Sequence, residues 1–237
     1  MLWQAFGRFG GVGAPESSSI VIGATAPSIR GTGAWKDTAA VDATVILPTY
    51  AENDLILLFC ESTNNSLTAP AGYNAVTGTP AGSVASQTTI FWKIASASES
   101  NPTVGFGTND HSLIIAFTVQ GVNLLLPNPF DASYSATSQS GESITVPGIT
   151  TTYPNSLVFD AVGTGTDINV SDLHSAWANA SLSSYAERAA FSTNTDGGGA
   201  LGIASGVKVA AGSVDSSTVS VSLGTSGGCV KLAIIPV

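Results

Sequence analysis

A short apolar stretch occurs twice in this sequence, and it limits what the chain can fold into. The first copy, N-D-L-I-L-L-F-C-E, covers residues 53–61, and the second, N-S-L-V-F-D-A-V, covers residues 155–162. Each follows a shorter strand-like piece, at residues 41–48 and 143–148. An apolar run that does not alternate with polar residues is typical of a β-strand covered on both faces. The sequence therefore predicts a pair of central strands, one in each half.

Further matches support an internal duplication. The aligned positions are Asn53 with Asn155, residues 93–95 with 208–210, and Ala116 with Ala233. A repeat of roughly 100 residues exceeds the 20–50 residues of solenoid repeats and suits a duplicated sheet unit.

The remaining segments are short, strand-like and separated by turns rich in Gly, Pro and Asn. They predict an all-β fold, an antiparallel, jelly-roll-like β-sandwich with an extended N-terminal arm. Residues 1–39 hold the arm and the first strand, and residues 40–237 hold two pseudo-repeats at about 40–122 and 140–237. We expect both halves to contribute to both sheets, with two tandem sandwiches as the alternative. The loop at 167–180 is expected to hold one helical turn.

Strict alternation at residues 88–95 predicts a strand with two different faces. One face carries Ile90, Trp92 and Ile94, and the other carries Thr89, Phe91 and Lys93. Trp92 is therefore expected in the core.

Charge excludes several function classes. Only 10% of the residues are charged, the net charge is −9, and the seven basic residues are scattered. A nucleic-acid groove needs clustered Lys or Arg, so we expect no nucleic-acid partner. No apolar run approaches the ~20 residues of a membrane span, and the first residues lack the pattern of a signal peptide. We expect no membrane insertion.

The two cysteines, Cys60 and Cys229, lie in apolar strand-like runs. They are expected to be buried thiols, with a disulfide as the alternative.

Two glycine-rich motifs resemble catalytic signatures without their context. G-T-S-G-G at 224–228 has the G-x-S-x-G spacing but is followed by a strand-like run, so it is expected to be a hairpin turn. G-G-G-A-L-G at 197–202 also leads into a strand, whereas dinucleotide binding needs a helix there. The histidines, His111 and His174, are expected in loops. We predict no catalytic residue and no cofactor site.

Oxygen-bearing side chains gather in one loop, at Asp167, Asn169, Asp172 and His174. Calcium binds such oxygen ligands, but the spacing fits no EF-hand loop, and Asx residues in turns usually cap their own backbone. We predict no metal site and leave Ca²⁺ at residues 167–174 as an alternative.

Carboxylates that face each other across a groove would indicate a glycoside hydrolase. We expect most of them to be solvated loop residues. The candidates are Glu52, Asp54, Glu61, Glu99, Asp110, Asp160 and Glu187.

Aromatic residues supply the candidate contact surfaces. Trp3, Phe6 and Phe9 alternate with glycines in the arm and are candidates for an assembly interface, the alternative being a tail that folds back on its own domain. Tyr73 and Trp177, in loops, are candidates for a ligand surface that stacks on sugars.

A series of short motifs, in order, resembles a known β-sandwich family. The motifs are N-D-L-I-L-L-F, P-A-G-Y, F-W-K-I-A with S-E-S, F-T-V-Q-G-V, P-F-D-A and T-T-T-Y-P-N-S-L-V-F. The family occurs in structural proteins of tailed phages (tail fibre, baseplate or head surface) and in some bacterial surface proteins. Its common form has Gly-Trp at Gly72–Tyr73, and Tyr-x-Gly-Val where this chain has Val at position 119. The resemblance covers about residues 40–237.

The resemblance implies a non-enzymatic virion protein that assembles into the particle and displays a β-sandwich. Its expected partners are other virion proteins through the arm, further copies of itself and a host-surface glycan. The alternative is a bacterial extracellular carbohydrate-binding or adhesion module.

Overall fold

The structure, a computed structural model, describes residues 25–63, 67–83, 85–107, 111–170 and 173–237, with backbone alone for 134–139 and 224–225. These residues are all-β: 59% of them lie in strands, and none lies in a helix. A search of the same residues accordingly found no helix with the length and apolar character to cross a membrane.

Seventeen strands are described, and ten of them are longer than four residues. In chain order they are β1 (Ser28–Thr32), β2 (Lys36–Thr38), β3 (Asp42–Thr44), β4 (Leu55–Ser62), β5 (Asn74–Ala75), β6 (Ala81–Ser83), β7 (Ser86–Ile94), β8 (Thr103–Gly105), β9 (Ser112–Gln120), β10 (Phe130–Val146), β11 (Ile149–Thr151), β12 (Ser156–Thr164), β13 (His174–Ala178), β14 (Ser183–Thr193), β15 (Gly199–Lys208), β16 (Gly212–Val214) and β17 (Ser217–Ile234).

The two large sheets are antiparallel and have the same strand order. The first has the order β1–β9–β4–β7–β5, with β2 added on β9 and β6 on β7. The second has the order β10–β17–β12–β15–β14, with β13 added on β17. Because β13 also lies against β14, the second sheet is nearly closed and barrel-like. Each half adds a two-stranded sheet, β3–β8 or β11–β16.

The central strands β4 and β12 begin in the same way. Asn53 and Asn155 precede them with φ angles of 72° and 59°, in the left-handed region that Asn tolerates better than most residues. Each donates its backbone N–H to a carbonyl just beyond the neighbouring strand, Asn53 to Ala95 at 2.9 Å and Asn155 to Val209 at 3.1 Å. The predicted pair of central strands is therefore confirmed in position.

The inner faces of the two large sheets share one hydrophobic core. Leu57 and Phe59 of β4 face Phe159 of β12, and the rings of Phe59 and Phe159 are 5.6 Å apart. Burial of such apolar surface contributes about 25 cal/mol per Å² and dominates the stability of a sheet pair. Trp92 and Phe130 meet edge to face across the same interface at 5.5 Å.

The outer face of each sheet is also covered. Ile56, Leu58 and Cys60 of β4 pack under β3 and β8, so β4 is buried on both faces as its sequence predicts. The alternation of β7 is confirmed as well, since Ile90 belongs to the shared core and Phe91 to the outer cluster.

Three sequence-based expectations are wrong. The two halves do not both contribute to both large sheets, because residues 28–120 form the first sheet and residues 130–234 form the second. The segment expected to contain a helical turn forms strand β13 instead, because it pairs with β17 from His174 onwards. His174 therefore lies in a strand and not in a loop.

The G-T-S-G-G motif is not a hairpin turn. It lies inside the single 18-residue strand β17, where Ser226 and Gly227 pair with β10. A Cβ atom on Gly227 would overlap the carbonyl oxygen of Gly163 in β12. The glycines therefore allow close approach of neighbouring strands and do not mark a turn.

Candidate functional site

The residues predicted to form the assembly interface, Trp3, Phe6 and Phe9, lie outside the described residues. The described body begins at Thr25, which lines a cavity of about 500 Å³.

The same cavity joins an ion pair to apolar surface. Arg30 Nε lies 2.6 Å from Asp54 Oδ2, and the exposed side chains of Leu124 and Val237 line the cavity beside them. Asp54 also accepts the backbone N–H of Ala51 at 2.8 Å, so its carboxylate holds the turn that leads into β4.

Tyr73, the first ligand-surface candidate, is half-buried and packs against the outer cluster of the first sheet. The P-A-G-Y sequence forms a β-turn in which Tyr73 N–H donates to Pro70 O at 3.0 Å and Gly72 has a φ of 80°. The hydroxyl of Tyr73 is buried and makes no hydrogen bond with the described residues. Burial raises the pKa of this phenol, and Glu99 and Tyr50 raise it further.

A cleft of about 240 Å³ opens beside the ring of Tyr73. Lys93 Nζ lies 2.6 Å from Glu99 Oε2 and 5.9 Å from the centre of the Tyr73 ring. Burial alone would raise the pKa of Glu99, but hydrogen bonds from Lys93 and Ser96 outweigh it and lower that pKa. Asn101 also lines the cleft. The cleft offers one aromatic face and fixed polar groups.

Trp177, the second candidate, lies in β13 on the outer side of the second sheet. Its Nε1 donates to Glu187 Oε2 at 3.1 Å, and burial raises the pKa of Glu187, although this hydrogen bond acts in the opposite direction. The shared core lies between the outer faces of the two sheets. The structure therefore does not bring Trp177 and Tyr73 together into one surface.

The expectation that the candidate carboxylates are mostly solvated is wrong for three of them. Asp54, Glu61 and Asp160 are buried, whereas Asp110 lies outside the described residues. A buried charge is costly unless it is paired and hydrogen-bonded, so each must have partners.

Glu61 lies between the two large sheets, at the end of β4. Its Oε1 accepts the hydroxyl of Ser86 at 2.8 Å, and its Oε2 lies 3.0 Å from Nε2 of His111. A Cβ on Gly199 would overlap both Glu61 and His111, so β15 has no side chain there. In a nucleophilic triad the histidine lies between the serine and the acid. Here the acid lies between the other two, and all three residues belong to the first half, so the hydrogen bonds join β4, β7 and the residue before β9.

Asp160 and Lys231 form the second buried cluster. They lie directly opposite each other on β12 and β17, and both side chains are 0% exposed. Lys231 Nζ is 3.2 Å from Asp160 Oδ1 and 3.3 Å from Oδ2. Two hydroxyls donate to Oδ2, Ser217 at 2.6 Å and Tyr185 at 2.7 Å. Oδ1 accepts no hydrogen bond of good geometry from the described residues, despite its distance to Nζ.

Burial pushes both members of this pair towards their neutral forms. It raises the pKa of Asp160, although Lys231 and the two hydroxyls act in the opposite direction. It lowers the pKa of Lys231, although Asp160 acts in the opposite direction. The site therefore holds a carboxyl group and an amine, close together and away from water. Among the described buried groups of the second half, this pair combines two groups that can react with each other.

Sequence reasoning missed this cluster, although a signal was present. Asp160 interrupts the apolar run L-V-F-D-A-V, and Lys231 interrupts the run C-V-K-L-A-I-I. A charged residue inside a strand buried on both faces must find a partner on a neighbouring strand. Only two such residues of opposite charge occur in the two apolar runs of the second half.

Cys60 and Cys229 are buried thiols that no disulfide joins, as expected. Burial raises the pKa of Cys60, which makes its thiol a poor nucleophile. Among the described residues, no three His, Cys, Asp or Glu side chains are grouped to hold a metal ion. Asp172 of the loop considered for Ca²⁺ lies outside the described residues.

Comparisons with protein-family models, curated proteins and solved structures found no match to this chain.

Proposed function

We propose that this protein is a non-enzymatic structural component of a tailed-phage particle, in the tail or on the head surface. The observation that carries the proposal is the place of the motifs that resemble the phage β-sandwich family. N-D-L-I-L-L-F leads into the central strand β4 and forms its first five residues, P-A-G-Y is a tight turn, and F-W-K-I-A is the end of β7 and the residue that follows it. These three motifs belong to the strands and turns of the framework, which is where a family with a shared fold would resemble this chain.

The buried position of the acid–base residues supports a role in display. Glu61, His111, Asp160 and Lys231 are all 0% exposed, so a substrate would not reach them without unfolding of the strands. Sites that bind and transform substrates are normally concave and open to solvent.

We also propose that the body is an antiparallel β-sandwich, with a jelly-roll-like character, that arose by duplication of one unit. Three observations support the duplication. The two large sheets have the same strand order, each half adds one two-stranded sheet, and Asn53 and Asn155 have the same backbone role. The shared core between the sheets supports the sandwich.

Purified particles provide the direct test. Phage particles from a lysate of the source, separated by sedimentation, should contain this chain at a fixed ratio to the other structural proteins. Absence of the chain from intact particles, with the chain present in the soluble fraction, would exclude the proposal.

A second experiment tests the arm as the point of attachment. We expect replacement of Trp3, Phe6 and Phe9 by Ala to prevent incorporation into particles while the body still folds. A matched control replaces Ser17, Ser18 and Ser19 by Ala in the same segment. Equal incorporation of both variants would show that attachment depends on another surface.

A carbohydrate-binding or adhesion module is the second candidate, and the cleft beside Tyr73 favours it. An aromatic face with fixed polar groups is the usual composition of a small-molecule site. A glycan array should then show binding that Tyr73→Ala abolishes and Tyr73→Phe retains. Trp177→Ala tests the other candidate residue in the same assay, and binding that none of these variants alters would remove both residues as sugar contacts.

A further inference from the structure

We propose that Lys231 and Asp160 condense to form an amide bond between Nζ and Cγ, which links strands β12 and β17 covalently. The proposal rests on the geometry of this buried pair and is independent of the function proposed above.

The strand pairing places the two groups at reaction distance. Asp160 and Lys231 are directly opposite residues of an antiparallel pair in the centre of the second sheet. Reacting atoms held about 3–3.5 Å apart in a rigid site reach effective concentrations of roughly 10⁵–10⁸ M. Nζ lies 3.2 Å from Oδ1 and 3.3 Å from Oδ2, so it is held close to both oxygens bonded to Cγ, the atom it would attack. Both strands are also paired with other strands on their outer sides, which keeps the register fixed.

Burial removes the usual obstacle to amide formation. In water a carboxylate and an ammonium ion are each stabilised by solvent, so their condensation is unfavourable at neutral pH. Both side chains are 0% exposed here, and burial raises the pKa of Asp160 and lowers that of Lys231. The neutral amine and the neutral carboxylic acid are the forms that react. Condensation also replaces two buried ionisable groups by one neutral amide, which removes the cost of desolvating charges.

The neighbouring hydroxyls supply what the reaction needs. As the lone pair of Nζ forms the bond to Cγ, negative charge develops on Oδ2, where the hydroxyls of Tyr185 and Ser217 donate at 2.7 Å and 2.6 Å. Such preplaced donors stabilise the tetrahedral intermediate. Ser217 Oγ also accepts a hydrogen bond from Nζ at 2.7 Å, which holds the amine in place, and Nζ lies 3.2 Å from Oδ1, so an amine proton can pass directly to the oxygen that leaves.

The atoms balance without another reactant. The Cγ–Oδ1 bond breaks, and Oδ1 leaves as water with the proton of the carboxylic acid and one proton from Nζ. The second amine proton stays on the amide nitrogen. Lys231 Nζ donates to the carbonyl of Asp215 at 3.2 Å, and Asp215 lines a surface cavity of about 410 Å³. The water would therefore form beside a residue that also lines this cavity.

The bond would tie together residues that are 71 positions apart in sequence. A covalent link of this kind stabilises a fold mainly by restricting the unfolded chain, more so for longer loops. At the equivalent opposite positions of the first sheet, β4 carries Leu58 and β9 carries Ala116. This strand register matches Ala116 with Lys231 and not with Ala233, as the sequence comparison had it.

Peptide mapping of the purified full chain is the test. The lysines and arginines after residue 90 are Lys93, Arg188, Lys208 and Lys231, so trypsin separates Asp160 from Lys231. The amide predicts a branched product in which residues 94–188 are joined to residues 209–237, with the mass of one water missing. Separate peptides 209–231 and 232–237 from fully digested, denatured protein would overturn the proposal.

Two variants test which residue forms the bond and which hydroxyl promotes its formation. Lys231→Arg retains a positive charge but should give no branched product, and persistence of that product would overturn the assignment to Lys231. Because that variant changes a buried residue and its fold is at risk, Tyr185→Phe provides a second test with both bonded residues intact. Loss of one donor to Oδ2 should slow appearance of the branched peptide roughly a hundredfold after synthesis. An unchanged rate would overturn the role of Tyr185.

Discussion

The two central strands β4 and β12 share a framework and differ in what their outer faces carry. Both follow an Asn with positive φ, both lie between two antiparallel neighbours, and both bury a Phe in the shared core. On the outer face, β4 places Leu58 opposite Ala116, whereas β12 places Asp160 opposite Lys231. The same backbone thus supports an apolar pair in one half and an ionisable pair in the other.

The inner faces differ in a complementary way. Near its end β4 carries Glu61 on the side of the shared core, and the matching position of β12 is Gly163. A Cβ on Gly163 would lie 2.8 Å from Glu61 Cγ, so the missing side chain of one half accommodates the carboxylate of the other. The two halves therefore differ in the side chains at their mutual interface and on their covered outer faces, while the order of the paired strands is the same.

The comparison of the outer faces of β4 and β12 predicts the largest effect on the free energy of unfolding. We expect Lys231→Met to lower the free energy of unfolding by about 3–5 kcal/mol, because Asp160 is left buried without its partner. The double variant Asp160→Leu with Lys231→Met, which copies the apolar arrangement of β4, should be more stable than the single variant. Neither variant contains both groups of the proposed amide, so their difference measures the unpaired carboxyl alone. Urea unfolding at constant pH measures both, and equal stabilities would contradict the interpretation.

The outer layer of the second sheet should also make that half sensitive to acid. His174 is buried, and burial lowers its pKa from 6.5 to about 4. Between these values the unfolded chain binds a proton that the folded chain does not, so stability is complete above pH 6.5 and falls as the pH drops towards 4. At 1.36 kcal/mol per pKa unit, the total loss is about 3 kcal/mol. The free energy of unfolding measured against pH should show this slope.

The control for the acid effect is His174→Leu, which removes the titrating group and keeps an apolar side chain. We expect the difference between the two pH profiles to be constant above pH 6.5 and to change with pH below it. Parallel profiles over the whole range would show that His174 is protonated equally in both states. Hydrogen exchange should place the opening that depends on His174 at β13 and at β17, the strand with which His174 pairs.

The sequence predicts the central strands because their signal is local. The apolar run at 53–61 and the alternation at 88–95 each indicate burial without knowledge of any partner, and β4 and β7 confirm both. The assignment of each half to its own sheet was not predictable in this way. Alternation reports which faces are buried, and it does not report which neighbour covers them.

The buried ionisable residues were missed for a related reason. Asp160 and Lys231 are far apart in sequence, and only the register of β12 against β17 places them opposite each other. The glycines of β17 were interpreted as a turn because glycine favours turns. Their actual role is to allow close approach to Gly163, which lies in a strand more than 60 residues earlier. A local sequence pattern does not show a contact with so distant a residue.

The inner-face comparison predicts an intermediate effect. Gly163→Ala should lower the free energy of unfolding by about 2 kcal/mol, since the new Cβ meets Thr88 Oγ1 at 2.5 Å and Glu61 Cγ at 2.8 Å. In a double-mutant cycle with Glu61→Ala, the two losses should be less than additive, because removal of the Glu61 side chain makes room. Strictly additive losses would mean that Gly163 and Glu61 do not accommodate each other.

The smallest effect tests what the two halves have in common. Asn53→Ala and Asn155→Ala should each lower the free energy of unfolding by about 1 kcal/mol, because a Cβ-bearing residue without a polar side chain adopts the left-handed region unfavourably. Asn53→Gly and Asn155→Gly, which relieve that restriction, should lower it less than the Ala variants do. The backbone N–H of each residue keeps its hydrogen bond in all four variants, so the comparison isolates the φ angle. Matching losses in the two halves support the equivalence of β4 and β12, whereas a loss confined to one half would show that the shared φ conceals different local constraints.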